Sequence, residues 1–174
     1  MQKKICLLGT FAVGKTSLTE RYVKSVFSER YQTTVGVRVH KKSVTVDGQN
    51  LDLIIWDLAG EDEFVVLRTV YLRGASGYIL VADGTRLETL DKAMDLQRRA
   101  QEALGNVPFI LVVNKADRMS EWTIHEDVLN ELEGKDWLVF RTSAKTGHGV
   151  DDAFNKLAVD LLPDKVVELA SGDR

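Results

Sequence analysis

Short apolar runs alternate with stretches of helical period along the whole chain. The runs Lys4–Leu8, Val35–Val46, Leu51–Trp56, Gly77–Val81, Phe109–Val113 and Trp137–Arg141 predict six strands. Most are short, β-branched and almost continuously apolar, as strands covered on both faces are, which favours a parallel sheet. Val46-Asp47-Gly48-Gln49 places an Asp-Gly turn between the second and third runs. That dipeptide predicts a tight hairpin, so this one pair is expected to be antiparallel. Val150, Ala153, Phe154, Leu157, Ala158 and Leu161 repeat with helical spacing and offer one apolar face to the sheet, until Pro163 ends the segment. Thr123-Ile124-His125-Glu126 has capping-box spacing and predicts a helix running to Glu133 before Gly134, and a further helix is expected over Leu87 to Leu104. The fold class that follows is α/β: a six-stranded, mostly parallel sheet with one antiparallel hairpin strand and helices on both faces. Residues 1–174 read as one domain, with 164–174 as a tail.

Composition narrows the function classes. With 174 residues, 44% of them hydrophobic, the chain can bury one sizeable core. Its 23 basic and 26 acidic residues leave a net charge of −3, so no global positive field draws in nucleic acid, and none is expected as a partner. The single cysteine, Cys6, excludes an intramolecular disulfide and reads as a small buried hydrophobe, consistent with a cytoplasmic location. No stretch approaches the roughly 18 apolar residues of a membrane span, and residues 164–174 carry no cysteine for a lipid, so no direct membrane anchor is expected in this chain. His125 and His148 stand alone and read as surface histidines. His40, Lys41 and Lys42 read as solvated charges on an edge strand, and Trp122 and Trp137 as packing residues.

The chemistry begins after the first strand. Gly9-Thr10-Phe11-Ala12-Val13-Gly14-Lys15-Thr16 matches the phosphate-binding pattern G-x-x-x-x-G-K-[ST] and opens a helix, where the mechanism needs it. Glycines at both ends let successive backbone N–H groups converge on phosphate oxygens, aided by the positive end of the helix dipole. Phe11, Ala12, Val13, Gly14, Lys15, Thr16 and Ser17 form the candidate cradle. Lys15 would reach the β- and γ-phosphates, and the Thr16 hydroxyl would ligate Mg²⁺. Asn114-Lys115-Ala116-Asp117 follows the fifth strand run, at the sheet edge where open α/β folds bind ligands. A carboxylate at Asp117 can accept paired hydrogen bonds from guanine N1–H and its 2-amino group, which adenine does not offer. In Ser143-Ala144-Lys145 the Ala144 N–H can donate to guanine O6 and rejects the amino group that adenine presents there.

These motifs, together with Thr34-Val35-Gly36-Val37 and Trp56-Asp57-Leu58-Ala59-Gly60, stand in one order and spacing over roughly the full length of the chain. The chain resembles the Ras-superfamily small GTPases, closest to the Rab-like branch, whose fold is that of the P-loop NTPases. The resemblance implies bound GTP or GDP with Mg²⁺. It implies a Phe27 ring stacked on guanine with the Lys115 stem on the other face, and Tyr31 able to close over the phosphates. Thr34 and Asp57 would join Thr16 at the metal, and the Gly60 N–H would meet the γ-phosphate. Lys15, Thr34, Gly60 and residue 61 would carry hydrolysis. Protein effectors, an exchange factor and an activating protein are the implied partners, with Val35, Val37, Trp56, Phe64, Val65 and Tyr71 as the contact face.

Two positions depart from the family pattern. Glu61 stands where a glutamine usually orients the attacking water, and an ionised carboxylate beside a charge-rich phosphoryl group predicts slow intrinsic hydrolysis. The competing reading makes Glu61 a general base, or turns it away while a partner supplies the missing group. Phe11 replaces a small residue and can crowd an arginine finger entering in trans. Arg30, Arg68 and Arg73 are candidates for cationic help in cis, against the plainer reading as solvated arginines. A switch acting through two segments around Thr34 and Gly60–Arg73 is therefore expected. The alternative is a GTP-binding scaffold that hydrolyses essentially nothing, whereas a P-loop kinase does not fit the base-reading motifs.

Overall fold

Asp47 and Gly48 both adopt positive φ, 49° and 74°, the two-residue turn that the Asp-Gly pair predicts. It joins β2 (Val37–Val46) to β3 (Gln49–Leu58) in antiparallel register from Val46↔Gln49 to Val37↔Leu58. The structure, a computed structural model, describes residues 1–30, 34, 36–60 and 69–163. The remaining strands are β1 (Gln2–Leu8), β4 (Gly77–Asp83), β5 (Phe109–Asn114) and β6 (Val139–Arg141). They make one sheet in the order β2-β3-β1-β4-β5-β6, with every pair except β2–β3 parallel. Among the described residues four helices accompany the sheet: α1 (Lys15–Lys24), α2 (Glu88–Leu104), α3 (Glu126–Glu133) and α4 (Val150–Asp160). Short 3₁₀ turns occupy Thr69–Leu72 and Ala116–Glu121.

The period of two along each central strand divides the core into two layers. Ile5 and Leu7 of β1, Ile79 and Val81 of β4, and Ile110 and Val112 of β5 face α1 and α4, packing with Leu18, Phe154 and Leu157. Cys6, Leu8, Tyr78, Leu80, Leu111 and Val113 face α2 and α3, against Leu90, Leu96 and Leu129. All seven residues of β4 are buried, which explains why the central strands read as continuous apolar runs. The hairpin buries Leu51, Leu53 and Ile55 of β3 in the α1/α4 layer, while Leu58 joins the α2/α3 layer with Val37 and Trp56 packed against it. Trp56 is half-buried beneath the Lys4 ammonium, 3.6 Å from the ring centroid.

Three local expectations need correction. Thr123 caps no helix: α3 starts at Glu126 behind an extended His125 without a side-chain cap, because the Thr123 N–H is already given to Gly84 O at 2.9 Å. β6 is shorter than its apolar run, since the Trp137 N–H turns back to Leu132 O (3.1 Å) and its ring packs edge-on against Phe109. In the basic run on edge strand β2, only Lys41 is the exposed cation expected, and it pairs with Asp52 at 3.0 Å. Lys42 lies 5.3 Å over the Tyr22 ring, and half-buried His40 has a buried Nε2 without a hydrogen-bond partner.

Cys6 is buried, and desolvation pushes its thiol up to about 11 from 9.0, against a smaller opposing pull from Lys4. Between those values the unfolded chain ionises its thiol while the folded one keeps the proton. The folded state therefore binds more protons, and stability falls as pH rises from about 9 to 11, by about 2 to 3 kcal/mol from this group. Denaturant melts of wild type and Cys6→Ala across that window check this: the variant is expected to lose less stability. Equal losses refute it.

Candidate functional site

β1, β4, β5 and β6 all end on one edge of the sheet, and the loops leaving them meet there. Their meeting depends on glycines. A Cβ on Gly9 would stand 2.6 Å from Val81 O, and one on Gly14 (φ 104°) would stand 2.3 Å from Asn114 Nδ2. The phosphate loop thus lies against the ends of β4 and β5 with no room for a side chain at either point.

The loop's carbonyls are spoken for. Lys15 Nζ, on a residue only 6% exposed, donates to Gly9 O at 2.9 Å and Thr10 O at 3.0 Å. The next three carbonyls accept from outside the loop: Phe11 O from Arg86 Nη2 (3.0 Å), Ala12 O from Lys115 Nζ (3.2 Å) and Val13 O from Asn114 Nδ2 (3.1 Å). In a trans peptide the C=O and N–H point in opposite directions. Holding carbonyls 11, 12 and 13 outward therefore turns the N–H groups of Ala12, Val13 and Gly14 toward the loop's concave side. This makes a nest for an anion at the start of α1. It costs strain, because Ala12 adopts the left-handed φ of 63° without being glycine.

Asn114 also binds the base-reading segments together. Its Oδ1 accepts from Thr142 Oγ1 (3.1 Å) and from the Ala144 N–H (3.2 Å), while Ser143 Oγ donates to Asp117 Oδ1 at 2.8 Å. Asp117 itself is exposed, so its carboxylate is aimed from one side and open on the other. A guanine O6 arriving at Ala144 would share that N–H with Asn114. Arg21 on α1 holds the same loop from behind, through Nε to Ala144 O (2.8 Å) and Nη2 to Lys145 O (2.5 Å). Lys145 stands 3.6 Å from Glu29, and half-buried Phe27 packs against the α1/α4 side of the core.

At the other end of the site, Thr16 Oγ1, Thr34 Oγ1 and Asp57 converge. The two hydroxyls are 2.6 Å apart, and Asp57 Oδ2 lies 2.5 Å from Thr16 and 3.4 Å from Thr34. Asp57 is fully buried, with Oδ1 lacking any hydrogen-bond partner. Burial pushes its carboxyl above the usual range, against the Thr16 hydrogen bond and the Lys15 charge. An orphaned buried carboxylate oxygen beside two hydroxyls is a hard-oxygen donor set that fits Mg²⁺, which keeps water and takes phosphate oxygens for its remaining positions.

Of the sequence-predicted site residues, the structure brings Phe11 to Ser17, Thr34, Asp57 and Gly60 together around the start of α1, and Asn114, Lys115, Asp117 and Ser143 to Lys145 together beside them. Tyr31 and Glu61 lie outside the described residues, as do Val35, Phe64, Val65 and Arg68. Val37, Trp56 and Tyr71 are half-buried rather than exposed, and Val39, at 52%, is the more open apolar residue of β2. Arg30 and Arg73 are exposed.

Sequence reasoning missed Arg21, Asp83 and Arg86, and gave Trp122 too little. Trp122 Nε1 donates to Lys115 O at 3.1 Å, and its ring fills the space a Cβ on Gly84 would need, 2.2 Å away. The Asp83-Gly84-Thr85-Arg86 segment matches no motif, but its position at the C-terminal end of an apolar strand run was a usable signal.

Comparison with known proteins gives a consistent answer. Residues 4–162 match the Ras family. The chain is 34% identical to Ras-related protein Rab-13 of Mesocricetus auratus over 161 residues, covering 91% of this chain and 79% of the relative. It is 38% identical to Ras-related protein Rab-17 of Homo sapiens over 162 residues (91% and 76%), and 34% identical to Ras-related protein Rab-1 of Theileria annulata over 171 residues (97% and 77%).

Proposed function

The chain belongs to the Ras family of small GTPases and is Rab-like, and from that premise we propose that it is a GTP-binding switch that hydrolyses GTP to GDP slowly and engages effectors through the segments around Thr34 and Gly60–Arg73. On this reading residues 1–174 form one nucleotide-binding domain with 164–174 as a tail, working in the cytoplasm. Among the described residues no helix is long and apolar enough to cross a membrane.

The observation that carries the reading is Asn114, whose amide ties the phosphate loop at Val13 O to the base loops at Thr142 and Ala144 in one buried node. Such a node fixes the distance between a phosphate cradle and a guanine-reading carboxylate, as a nucleotide requires. The inward N–H groups of residues 12–14 and the Lys15 ammonium hold the phosphates. Asp117, steadied by Ser143, reads guanine, with Phe27 and the Lys115 stem against its faces, and Ala144 and Lys145 close that edge. Thr16, Thr34 and Asp57 would hold Mg²⁺, which supplies charge neutralisation of the phosphate oxygens when bound. A water then attacks the γ-phosphorus as the bond to the β–γ bridging oxygen breaks, giving GDP and inorganic phosphate. Lys15 and the Gly60 N–H stabilise the charge that develops on the phosphoryl oxygens. Glu61 orients the water poorly, having no amide N–H to give the transition state. An exchange factor and an activating protein would set the pace of the cycle.

One observation favours the alternative, a scaffold that holds GTP and hydrolyses essentially none. Phe11 is 45% exposed at the rim of the loop, and its backbone abuts Gly60. A bulky side chain there obstructs a residue arriving from an activating partner.

Single-turnover hydrolysis of GTP with Mg²⁺, run for wild type and Glu61→Gln, decides between these. The expected result is measurable but slow turnover by wild type and a rate about tenfold or more higher for the variant. A wild type as fast as the variant overturns slow hydrolysis and makes Glu61 a working catalytic group. Turnover by the variant alone supports the scaffold.

A further inference from the structure

Two of the three donors that hold the phosphate loop's carbonyls outward are cations, and both rest on one oxygen. Asp83 Oδ2 lies 3.0 Å from Arg86 Nε and 2.8 Å from Lys115 Nζ, while Oδ1 accepts from the Thr85 N–H (2.9 Å) and Thr85 Oγ1 (2.7 Å). Asp83 is fully buried. Burial alone would raise its carboxyl, but the bonds from Lys115, Thr85 and Arg86 outweigh it and hold the group below the usual carboxylate range. The carboxylate is a fixed anchor from which the two cations reach adjacent residues of the loop.

Lys115 belongs to the base-reading motif, whereas Arg86 belongs to none. Its Nη2 donates to Phe11 O, and the Thr10–Phe11 stretch of the loop lies against Gly60: a Cβ on Gly60 would stand 2.6 Å from Phe11 Cα, 2.7 Å from Phe11 N and 2.9 Å from Thr10 C. The neighbouring Ala12 carries left-handed strain, and rotating the Phe11–Ala12 peptide is the way to release it. That rotation would point the Phe11 carbonyl, instead of the Ala12 N–H, at a bound phosphate, replacing attraction by repulsion.

We infer that Arg86 is a positioning residue for the γ-phosphate end of the site: anchored on Asp83, it holds the Phe11 carbonyl outward, and so keeps the Ala12 N–H turned inward and the Phe11 backbone seated against Gly60. The inference deepens the proposed function and rests on it. Its effect falls on the nucleotide that reaches Gly60, the triphosphate, more than on the diphosphate. A charge-assisted bond to a carbonyl is strong enough to oppose a peptide rotation driven by the strain of one residue.

The test uses the full chain as wild type, Arg86→Ala and Arg86→Lys. Dissociation constants for fluorescent N-methylanthraniloyl GDP and GTP are measured with Mg²⁺, alongside single-turnover hydrolysis and the melting temperature of the GDP-loaded form. The Arg86 side chain is 36% exposed, so both variants are expected to fold. In Arg86→Ala the preference for GTP over GDP should fall about fivefold to tenfold, and hydrolysis by a similar factor, with the melting temperature little changed. Arg86→Lys should recover part of both, since an ammonium can reach Asp83 or the Phe11 carbonyl but lacks the fork that reaches both. An unchanged GTP-to-GDP ratio in Arg86→Ala overturns the assignment. So does an equal loss of both nucleotides with a lowered melting temperature, which is what a merely structural arginine would give. A wild type that binds neither nucleotide overturns the functional reading, and the Arg86 assignment with it.

Discussion

Asp117→Asn is expected to lower the affinity for guanine nucleotides by about three orders of magnitude or more while leaving the fold intact. Asp117 is exposed, and its Oδ1 accepts from Ser143 Oγ at 2.8 Å. An amide oxygen in that place can still accept from Ser143, so the loop keeps its shape. What changes is the edge offered to the base. A carboxylate presents acceptors to both guanine N1–H and the 2-amino group, whereas asparagine presents an N–H₂ that meets the amino group donor to donor. Unpaired polar groups in a site built to pair them cost about 10⁴ to 10⁵ in discrimination at the upper end. Xanthine carries a carbonyl at the same position, so the variant should prefer xanthosine diphosphate. Competition of both diphosphates for a fluorescent nucleotide provides the check. Guanine affinity within tenfold of wild type would mean that Asp117 does not read the base.

The second large effect is expected at Gly14. Gly14→Ala places a Cβ in a backbone with φ of 104°, 2.3 Å from Asn114 Nδ2. The far end of a side chain often yields cheaply, but this amide cannot. It is buried and holds Val13 O, Thr142 Oγ1 and the Ala144 N–H at once. Relief at the loop therefore breaks a buried node that also sets the base segments. Left-handed strain and at least one orphaned buried group together amount to about 2 to 5 kcal/mol of stability, and nucleotide affinity should fall about 100-fold or more. Denaturant melts and equilibrium binding of fluorescent GDP check the two parts separately. A variant that melts and binds as wild type does would show that Asn114 has another resting position.

How much of this was legible in the chain depended on the range of the signal. β4 and β5 read clearly because burial on both faces leaves no polar residue to interrupt them, and the Asp47-Gly48 turn announced the one antiparallel pair through backbone conformation alone. The Gly9–Thr16 loop and the segments 114–117 and 143–145, which the structure joins through Asn114, stood out in the sequence because binding phosphate and guanine would demand particular residues at short spacing. The capping box at Thr123 misled, since its local pattern was overridden by a hydrogen bond to Gly84, a residue far away in sequence. Arg86 escaped notice, and Trp122 was read as packing without its partner, for the same reason: each acts on a segment that only the sheet order brings to it, and neither type is unusual where it stands. Gly84 makes sense only once the Trp122 ring is seen in the space its Cβ would fill.

The hairpin gives the switch reading a mechanical consequence. The segment before β2 and the segment after β3 leave the same end of one ladder, where the Ala59 N–H bonds Gly36 O at 2.8 Å and Val37 faces Leu58. Strands so paired stand about 4.8 Å apart. A partner that pulls the two segments apart therefore loads the ladder as a zipper, opening it one rung at a time from the Val37–Leu58 end. A partner that draws both in the same direction opens no β2–β3 rung, and loads instead the parallel ladder that ties Asp52–Asp57 of β3 to Gln2–Leu7 of β1.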